Sequence, residues 1–382
     1  MTLFPLTRVF CRPQRCRRWL NSCLRGTCPG SCGRGPSRPF LRAIEPPAYA
    51  LHSRAFPLGV AFPAPVRSSH ALATHLARSG LLHTCCVPRA SLLQFLGRNS
   101  QLHRLNSFHN LWHVTDVLHA THLLAQQLPA AAASRFPAEE LLALYLAAVC
   151  HDVDHPGSSN GFLRASLDPL VEQHGCGSTL ERHHAAQAVA LVSGSGVLGG
   201  LTDTQRRRVQ ELMTRLILAT DIELNGAYLE AFQLRCAGGA ACDWAAKGDA
   251  REAMMCMLLK VADISNVCKP WPMALRWAGL LKVEHLVLLE KEKEAGLPAT
   301  PVLALPMAEL CAGFITAIAG PLVQALGSVI PWVNQAPLGY LTGNAASWRQ
   351  AAQAAVKPAP PERPAIGETQ LECVATRGVA CA

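Results

Sequence analysis

Histidines and carboxylates lie in this sequence at spacings that would bring their side chains together on helices. His109 and His113 are four residues apart in FHNLWHVTDV, so a helix would place both on one face. In HDVDHPG, the side chains of His151, Asp152 and His155 would crowd one face of a helix end that the following Pro-Gly pair terminates. Imidazole and carboxylate groups at such spacings can bind a metal ion or exchange a proton with a substrate.

Two further groups carry the same residue types. Glu181, His183 and His184 lie in LERHH, and Asp263 ends an apolar run in KVADISN. A single histidine on an apolar face is usually a satisfied core residue. Four separate groups are not explained in this way, because each buried acid or imidazole must be paired, hydrogen-bonded or bound to metal.

The mixture of imidazole and carboxylate suits zinc and other divalent cations. In the adjacent His151–Asp152 pair, the histidine can bind one ion while the aspartate, with two oxygens, bridges to a second. The pattern predicts a metal-dependent phosphohydrolase of the broad HD class. The alternative is a structural zinc site, but such sites favour cysteine ligands, and no cysteine pair with that spacing occurs.

Helices would position these residues. Apolar residues recur every three or four positions in several stretches, and strand-like alternation is absent from the sequence. The helical stretches are Leu92–Leu105, Leu111–Leu128, Glu140–Val149, Leu180–Val192, Val209–Ala219, Met254–Val261 and Met273–Leu289. The sequence predicts one all-α domain over residues 75–352, an arm at residues 1–74 and a tail at residues 353–382.

Positive charge is concentrated in the arm. The net charge is +9, yet residues 1–115 contain fifteen Arg, no Lys and a single acid, Glu45. The folded body is therefore not expected to bind nucleic acid. The first 45 residues are rich in Arg, Cys and Pro, which is typical of a disordered extension or of an organelle transit peptide. We expect a cytoplasmic protein, with import into an organelle through this arm as the alternative.

Cysteine usage and one apolar stretch bear on the compartment. The sixteen Cys include no CxxC pair, which indicates free thiols in a reducing compartment. Residues 310–347 carry no charge and are long enough to cross a bilayer. Pro321, Gln324, Ser328 and Pro331 interrupt this stretch, so we expect a buried helix and a loop rather than a stable membrane span.

Five segments together resemble the class I 3′,5′-cyclic nucleotide phosphodiesterases. FHNLWHVTDVLHA is similar to that family's YHNxxHAxDVxQ segment, and HDVDHPGSSNGFL to its HDxxHPGxxNxFL signature. TLERHHAAQA, LILATDIE and LLKVADISNVCKPW are similar to its LExHH, ILATDM and IKxADxSNPxRP segments. All five occur in the family's order over about residues 75–348. Two further segments, GLLHTCCVPRASLLQFL and LEAFQLRC, are most similar to the cAMP-specific members. The resemblance implies a compact multi-helix catalytic domain of the HD superfamily, with metals at the bottom of a deep pocket.

The resemblance implies a role for each matching residue. Four residues would bind a zinc ion: His113, His151, Asp152 and Asp263. Asp152 would also bridge to a second ion, magnesium or manganese. Three residues would orient the water molecules on that ion: His155, Glu181 and Thr220. His109 would be the general acid that protonates the leaving 3′-oxygen, a contribution on the order of 10²–10⁴ in rate.

The substrate pocket departs from the family pattern. The resemblance implies four pocket residues: Asn266, Leu281, Cys311 and Phe314. Phe314 would stack on the purine, and Leu281 would form the opposite wall. The family has glutamine where this chain has Cys311, and a thiol cannot supply the donor and acceptor pair of an amide. We expect the loss of that contact to cost roughly 1–3 kcal/mol of affinity and to relax base selectivity.

These observations favour an enzyme that hydrolyses 3′,5′-cyclic nucleotides, with cAMP as the expected substrate. His109 is not a predicted metal ligand, so turnover is the main reason for its presence. One alternative is a catalytically weak or inactive homologue that binds cyclic nucleotides or acts in regulation. A second is an HD-type hydrolase of another phosphoester. The expected partner is the cyclic nucleotide, and the oligomeric state is open between a monomer and a homodimer.

Overall fold

The computed structural model describes residues 65–128, 136–237 and 248–356. Within these ranges the regular structure is helical and no strand occurs, which confirms the all-α prediction. The α-helices, in chain order, are α1 (Pro65–Arg78), α2 (Leu81–Thr84), α3 (Arg89–Leu102), α4 (Leu111–Gln126), α5 (Ala138–Cys150), α6 (Asn160–Ala165), α7 (Pro169–His174), α8 (Thr179–Ser195), α9 (Asp203–Leu218), α10 (Asn225–Ala237), α11 (Gly248–Asp263), α12 (Trp271–Glu294), α13 (Pro301–Ala304), α14 (Met307–Phe314), α15 (Gly320–Gly327) and α16 (Ala336–Val356). Short 3₁₀ segments lie at Ile222–Leu224, Ser265–Cys268 and Pro331–Asn334, and a π-helical turn at Ile315–Ala319.

The predicted arm and tail lie largely outside the described residues. Helices α1 and α16 run across the predicted domain boundaries at residues 75 and 352, and those boundaries stay a prediction. Each stretch with helical periodicity forms a helix, with its ends shifted by a few residues. Helix α9 starts six residues before the apolar pattern does, because Thr202 and Gln205 form a reciprocal capping box at its first turn.

Helix α5 lies at the centre of the core. Every residue from Leu142 to Cys150 is buried, as expected for a helix that is apolar on all sides. It packs against α4 and α9, and more lightly against α8 and α11. Burying one leucine such as Leu144 contributes roughly 1.5–3 kcal/mol. The end of α5 is therefore fixed in the interior, and His151 follows it directly.

The uncharged stretch near the C-terminus folds as a helix with an interruption. Helices α14 and α15 are continuous through the π-helical turn, and Met307–Gly327 is long and apolar enough to cross a membrane by length and composition. Its mean hydropathy is 1.7, but 44% of the window is buried within the fold. Length and composition do not distinguish a membrane span from a core helix, because buried helices of soluble proteins have the same properties. The expectation of a buried helix is consistent with this packing.

Candidate metal centre

Four side chains from three parts of the fold converge in the interior. Nε2 of His113, from the first turn of α4, lies 3.0 Å from Oδ1 of Asp263, the last residue of α11. Nε2 of His151 lies 3.2 Å from the same oxygen and 3.3 Å from Nε2 of His113. Oδ2 of Asp152 lies 3.4 Å from Nε2 of His113 and 3.3 Å from Nε2 of His151. Atoms bound about 2.0–2.1 Å from one tetrahedral zinc would be about 3.3 Å apart, so the spacing suits such an ion.

The local structure aims the ligand atoms inward. Nδ1 of His151 donates to the carbonyl of Ala148 at 3.0 Å, which leaves the lone pair on Nε2 facing the cluster. The Asn110 side chain caps α4 by accepting from the backbone N–H groups of Trp112 and His113. The first turn of α4 is thereby fixed, and so is the position of the His113 ring.

Two observations support binding of a cation by this cluster. Oδ2 of Asp152 is buried and has no hydrogen-bond partner among the described residues. Burial opposes protonation of His113 and His151, yet the neighbouring Asp152 and Asp263 carboxylates outweigh it and raise the pKa of both imidazoles. The carboxylates thus require positive charge in a buried space, and a divalent cation would supply it in place of protons.

A second group of ligands adjoins the first. Asp152, His155 and His184 each offer an atom within 4.8 Å of the others. Nδ1 of His184 donates to the carbonyl of Val153 at 2.8 Å, and its buried Nε2 has no hydrogen-bond partner among the described residues but lies 4.0 Å from Oδ1 of Asp152. Asp152 therefore belongs to both groups and could bridge two cations. The first group, His113, His151 and Asp263 with Asp152, contains the four ligands predicted from sequence.

His184 was not assigned to the site from the sequence. The signal lay in LERHH: His184 follows Glu181 by three residues, so a helix places both on one face. The sequence alone does not show which of the two adjacent histidines, His183 or His184, faces the cluster, because both are histidines of the same short motif. In the structure, His183 instead pairs with Asp154 through Nε2 at 3.0 Å.

His109 lies outside helix α4, contrary to the expectation that it shares a helical face with His113. The helix begins at Leu111 after the Asn110 cap, and His109 sits in the preceding loop. The two rings are still neighbours, with centroids 5.7 Å apart. The side chain of His109 is 27% exposed, whereas that of His113 is 2% exposed. His109 is therefore placed to meet a molecule that approaches the buried cluster from solvent.

A carboxylate from α12 holds His109. Oε1 of Glu284 lies 2.5 Å from Nδ1 of His109, and Oε2 accepts from the backbone N–H groups of Phe108 and His109. Burial opposes charge on the ring, but the Glu284 charge and hydrogen bond outweigh it and raise the pKa of His109 to about 9. The raised pKa favours the imidazolium, the form that a general acid requires. Glu284 was not identified as a site residue from the sequence, because its contact with His109 spans 175 positions of the chain.

The predicted water-orienting residues lie around the cluster without a contact that assigns their role. His155 stacks on His109 with ring centroids 4.1 Å apart. The Glu181 carboxylate accepts from Nδ2 of Asn160 at 2.9 Å, and burial raises its pKa to about 7. The Thr220 hydroxyl donates to the carbonyl of Ile217. The roles of His155, Glu181 and Thr220 stay predictions.

The predicted pocket residues occupy three elements. Asn266 is buried in the 3₁₀ segment that follows Asp263, Leu281 lies on α12, and Cys311 and Phe314 lie on α14. Burial raises the pKa of the Cys311 thiol to about 11, so the thiol is neutral. Phe314 packs partly buried against the core. Their contacts with a nucleotide stay predictions.

Sequence comparison places the site within a known family. Residues 108–338 match the sequence pattern of the 3′5′-cyclic nucleotide phosphodiesterase family, a range that includes every member of the cluster. A 3′,5′-cyclic-nucleotide phosphodiesterase, regA, of Dictyostelium discoideum is 28% identical over 269 residues. The cGMP-inhibited 3′,5′-cyclic phosphodiesterase 3A of Rattus norvegicus is 34% identical over 199 residues. These alignments cover 69% and 50% of this chain but only 33% and 17% of the relatives.

The fold agrees with solved structures. The crystal structure of the phosphodiesterase domain of the RhoPDE fusion protein from the choanoflagellate Salpingoeca rosetta superposes with a TM-score of 0.74 at 26% sequence identity. The alignment covers 79% of this chain and 97% of that one. The helical architecture around the cluster is therefore shared over the whole length of a solved domain.

Proposed function

We propose, because this chain belongs to the 3′,5′-cyclic nucleotide phosphodiesterase family, that it hydrolyses a 3′,5′-cyclic nucleotide to the 5′-nucleotide. The observation that carries the proposal is the His109–Glu284 pair beside the buried histidine and aspartate cluster. Glu284 raises the pKa of the partly exposed His109, so this histidine can donate a proton to a molecule at the cluster. The 3′-oxygen of a cyclic nucleotide leaves readily only when it is protonated.

The finer assignments belong to the same proposal. His113, His151, Asp152 and Asp263 would hold zinc, and magnesium or manganese would lie on the other side of Asp152. Such a pair of ions activates a water molecule and neutralises the phosphate. His109 would donate its proton to the leaving 3′-oxygen, and Glu284 would keep the ring charged and oriented. His155, Glu181 and Thr220 would orient water at the second ion.

We propose cAMP as the substrate. A 3′,5′-cyclic-AMP phosphodiesterase, isoform F, of Drosophila melanogaster is 29% identical over 291 residues, although this chain covers only 43% of it. Asn266, Leu281, Cys311 and Phe314 would surround the nucleotide. The neutral Cys311 thiol offers a weak donor and a weak acceptor, which favours relaxed discrimination between adenine and guanine.

A direct assay tests the proposal. Purified full-length protein is loaded with zinc and with magnesium or manganese, then incubated with cAMP and with cGMP while release of the 5′-nucleotide is followed. Product from either substrate supports the enzyme. Intact metal content with cyclic-nucleotide binding and no product would instead support a regulatory protein. Activity only in a screen of other phosphoesters would indicate a different HD-type hydrolase.

The His109→Ala variant tests the proton donor. Because His109 lies outside the four-ligand cluster, metal content should match that of the wild type. Turnover should fall by about 10²–10⁴, the usual contribution of a positioned acid. Metal analysis and steady-state kinetics on the same preparation check both statements. Unchanged turnover would remove His109 from the mechanism.

A further inference from the structure

Lys291 binds the turn at residues 156–158, which follows the His151–Asp152 pair. It lies on α12, seven residues after Glu284 and therefore on nearly the same helical face. Its Nζ donates to the carbonyls of Pro156 and Gly157 at 3.1 Å and 3.0 Å and to the hydroxyl of Ser158 at 2.9 Å. Three oxygens of one turn thus surround one ammonium group, which matches the number of its donors.

One of these contacts acts on a peptide group that also binds a histidine. The Pro156–Gly157 peptide accepts from Lys291 through its carbonyl, and its N–H donates to Nδ1 of His155 at 3.0 Å. In a trans peptide the carbonyl and the N–H point in opposite directions, so a donor that fixes one also aims the other. A cation on the carbonyl also polarises the peptide and strengthens the N–H as a donor.

The hydrogen bond from Gly157 decides the tautomer of His155. Nδ1 accepts, so a neutral ring carries its proton on Nε2. With its proton on Nε2, the ring cannot bind a cation directly and instead offers a hydrogen-bond donor beside Asp152 and His184. It also stacks on His109 at an interplanar angle of 20°. Its orientation therefore affects the cation site and the proposed proton donor together.

The backbone of the same turn is fixed from the opposite side. Nδ2 of Asn106 donates to the carbonyl of His155 at 2.7 Å and to that of His109 at 2.9 Å. Gly157 has a φ of +65°, and a Cβ there would lie 2.9 Å from Oδ1 of Asn106. Asn106 thus holds the main chain of His155, while the Pro156–Gly157 peptide supplies the hydrogen bond that fixes which ring nitrogen carries the proton.

We propose that Lys291 is a positioning residue, which sets the tautomer and ring orientation of His155 through the Pro156–Gly157 peptide. The effect on turnover rests on the proposed function, whereas the effect on the tautomer does not. Lys291 acts at a distance from the reacting atoms, so substitution should leave substrate binding nearly intact and slow the chemical step.

Nitrogen NMR of the histidine rings tests the tautomer directly. The metal-loaded full-length chain is prepared with ¹⁵N-labelled histidine, and the His155 signal is identified by its loss in His155→Asn. Wild-type protein should show the Nε2–H tautomer. Lys291→Met, which keeps the aliphatic length without donors, should show a mixture of tautomers, and Lys291→Arg should restore the wild-type signal. Lys291→Leu, which likewise has no donor, is the second variant should the methionine protein fail to fold.

Lys293→Met is the matched control. Lys293 lies on the same helix, its side chain is 78% exposed, and its ion pair is with Glu290 of the same helix. It should behave as the wild type in every measurement. A pure wild-type tautomer in the folded Lys291→Met or Lys291→Leu protein overturns the proposal, whatever the turnover.

Kinetics test the link to the reaction. Lys291→Met should lower kcat by about tenfold or more at nearly constant KM, which is the usual size of an effect exerted through a residue behind the ligands. Lys291→Arg should recover most of that loss. A shifted tautomer with unchanged kcat would refute the link to turnover. If the wild-type protein has no turnover, the proposed function fails while the NMR result still decides the role of Lys291.

Discussion

His109 differs from the other imidazoles of the site in its exposure and in its partner. The rings of His113 and His151 contact aspartates inside the cluster, where a cation would displace their protons. His109 pairs instead with Glu284, which is not one of the four predicted ligands. Because His109 is not one of the predicted ligands, the cluster can bind metal while His109 keeps a proton that it can donate.

The pairing predicts a pH dependence. Burial opposes the charge, but Glu284 raises the pKa of His109 to about 9, so the acid form persists through neutral pH and activity should fall on the alkaline side. In Glu284→Gln the compensating charge is lost, the pKa of His109 falls, and the alkaline limb should move to lower pH by one unit or more. A pH profile of kcat/KM measures this shift. The control is Glu290→Gln, at an exposed position of the same helix, which should leave the alkaline limb of the pH profile unchanged. An unchanged alkaline limb in Glu284→Gln would contradict the pairing of Glu284 with His109.

At the scale of elements, helix α12 and the segment after α11 brace the site from outside. Helix α12 carries Glu284 and Lys291, which hold the loop of His109 and the turn of His155. The segment after Asp263 is held in turn by Asn344 of α16, which donates to the carbonyls of Val267 and Lys269. The loops beside the cluster are therefore held by contacts from other elements, in addition to the helices that carry the ligands.

A buried ion pair joins α4 to this segment and predicts a stability effect. Nζ of Lys269 lies 2.8 Å from Oδ1 of Asp116, with side-chain exposures of 0% and 8%. Lys269→Met would leave a buried carboxylate without its partner and should lower the free energy of unfolding by about 3–5 kcal/mol. The double variant Asp116→Leu/Lys269→Met removes both charges and should recover most of that loss. Urea denaturation of the three proteins measures both values. A double variant no more stable than the single one would show that the pair itself supplies net stability.

At the scale of the whole molecule, the family match covers residues 108–338, and the relatives compared above are longer than this chain. The buried cysteines among the described residues are free thiols: Cys85, Cys150, Cys256, Cys268 and Cys311. The cytoplasmic location, the alternative of organelle import and the oligomeric state stay predictions.

Bound cations should stabilise the whole fold. The cluster joins α4, α11 and the turn after α5, so an ion that binds only the folded state adds to stability, by about 4 kcal/mol at a thousandfold excess over Kd. Stripping the protein with a chelator should therefore lower Tm by about 8 °C or more. Calorimetry before and after chelation measures the shift, and added zinc should reverse it. His109→Ala should show the same shift, because His109 lies outside the four-ligand cluster. An unchanged Tm after confirmed removal of metal would contradict a structural contribution of the cluster.

The amino-acid sequence is sufficient to predict the all-helical class, the family and the four residues that form the main cluster. These follow from local properties, since helical periodicity and short motifs such as HDVDHPG depend on residues a few positions apart. Local reasoning failed where the chain leaves its helices. It placed His109 on a helix, although the Asn110 cap starts α4 one residue later.

Contacts between residues that are far apart in the sequence follow from how the helices pack. Asp263 reaches His113 across 150 positions, and Glu284 reaches His109 across 175. The contact from Lys291 to the Pro156–Gly157 peptide spans a similar distance. No periodicity encodes such pairs, because they depend on how α12 and α11 pack against the loops of other helices. The types of residue at the site could thus be predicted from sequence, whereas the partners that charge and orient them could not.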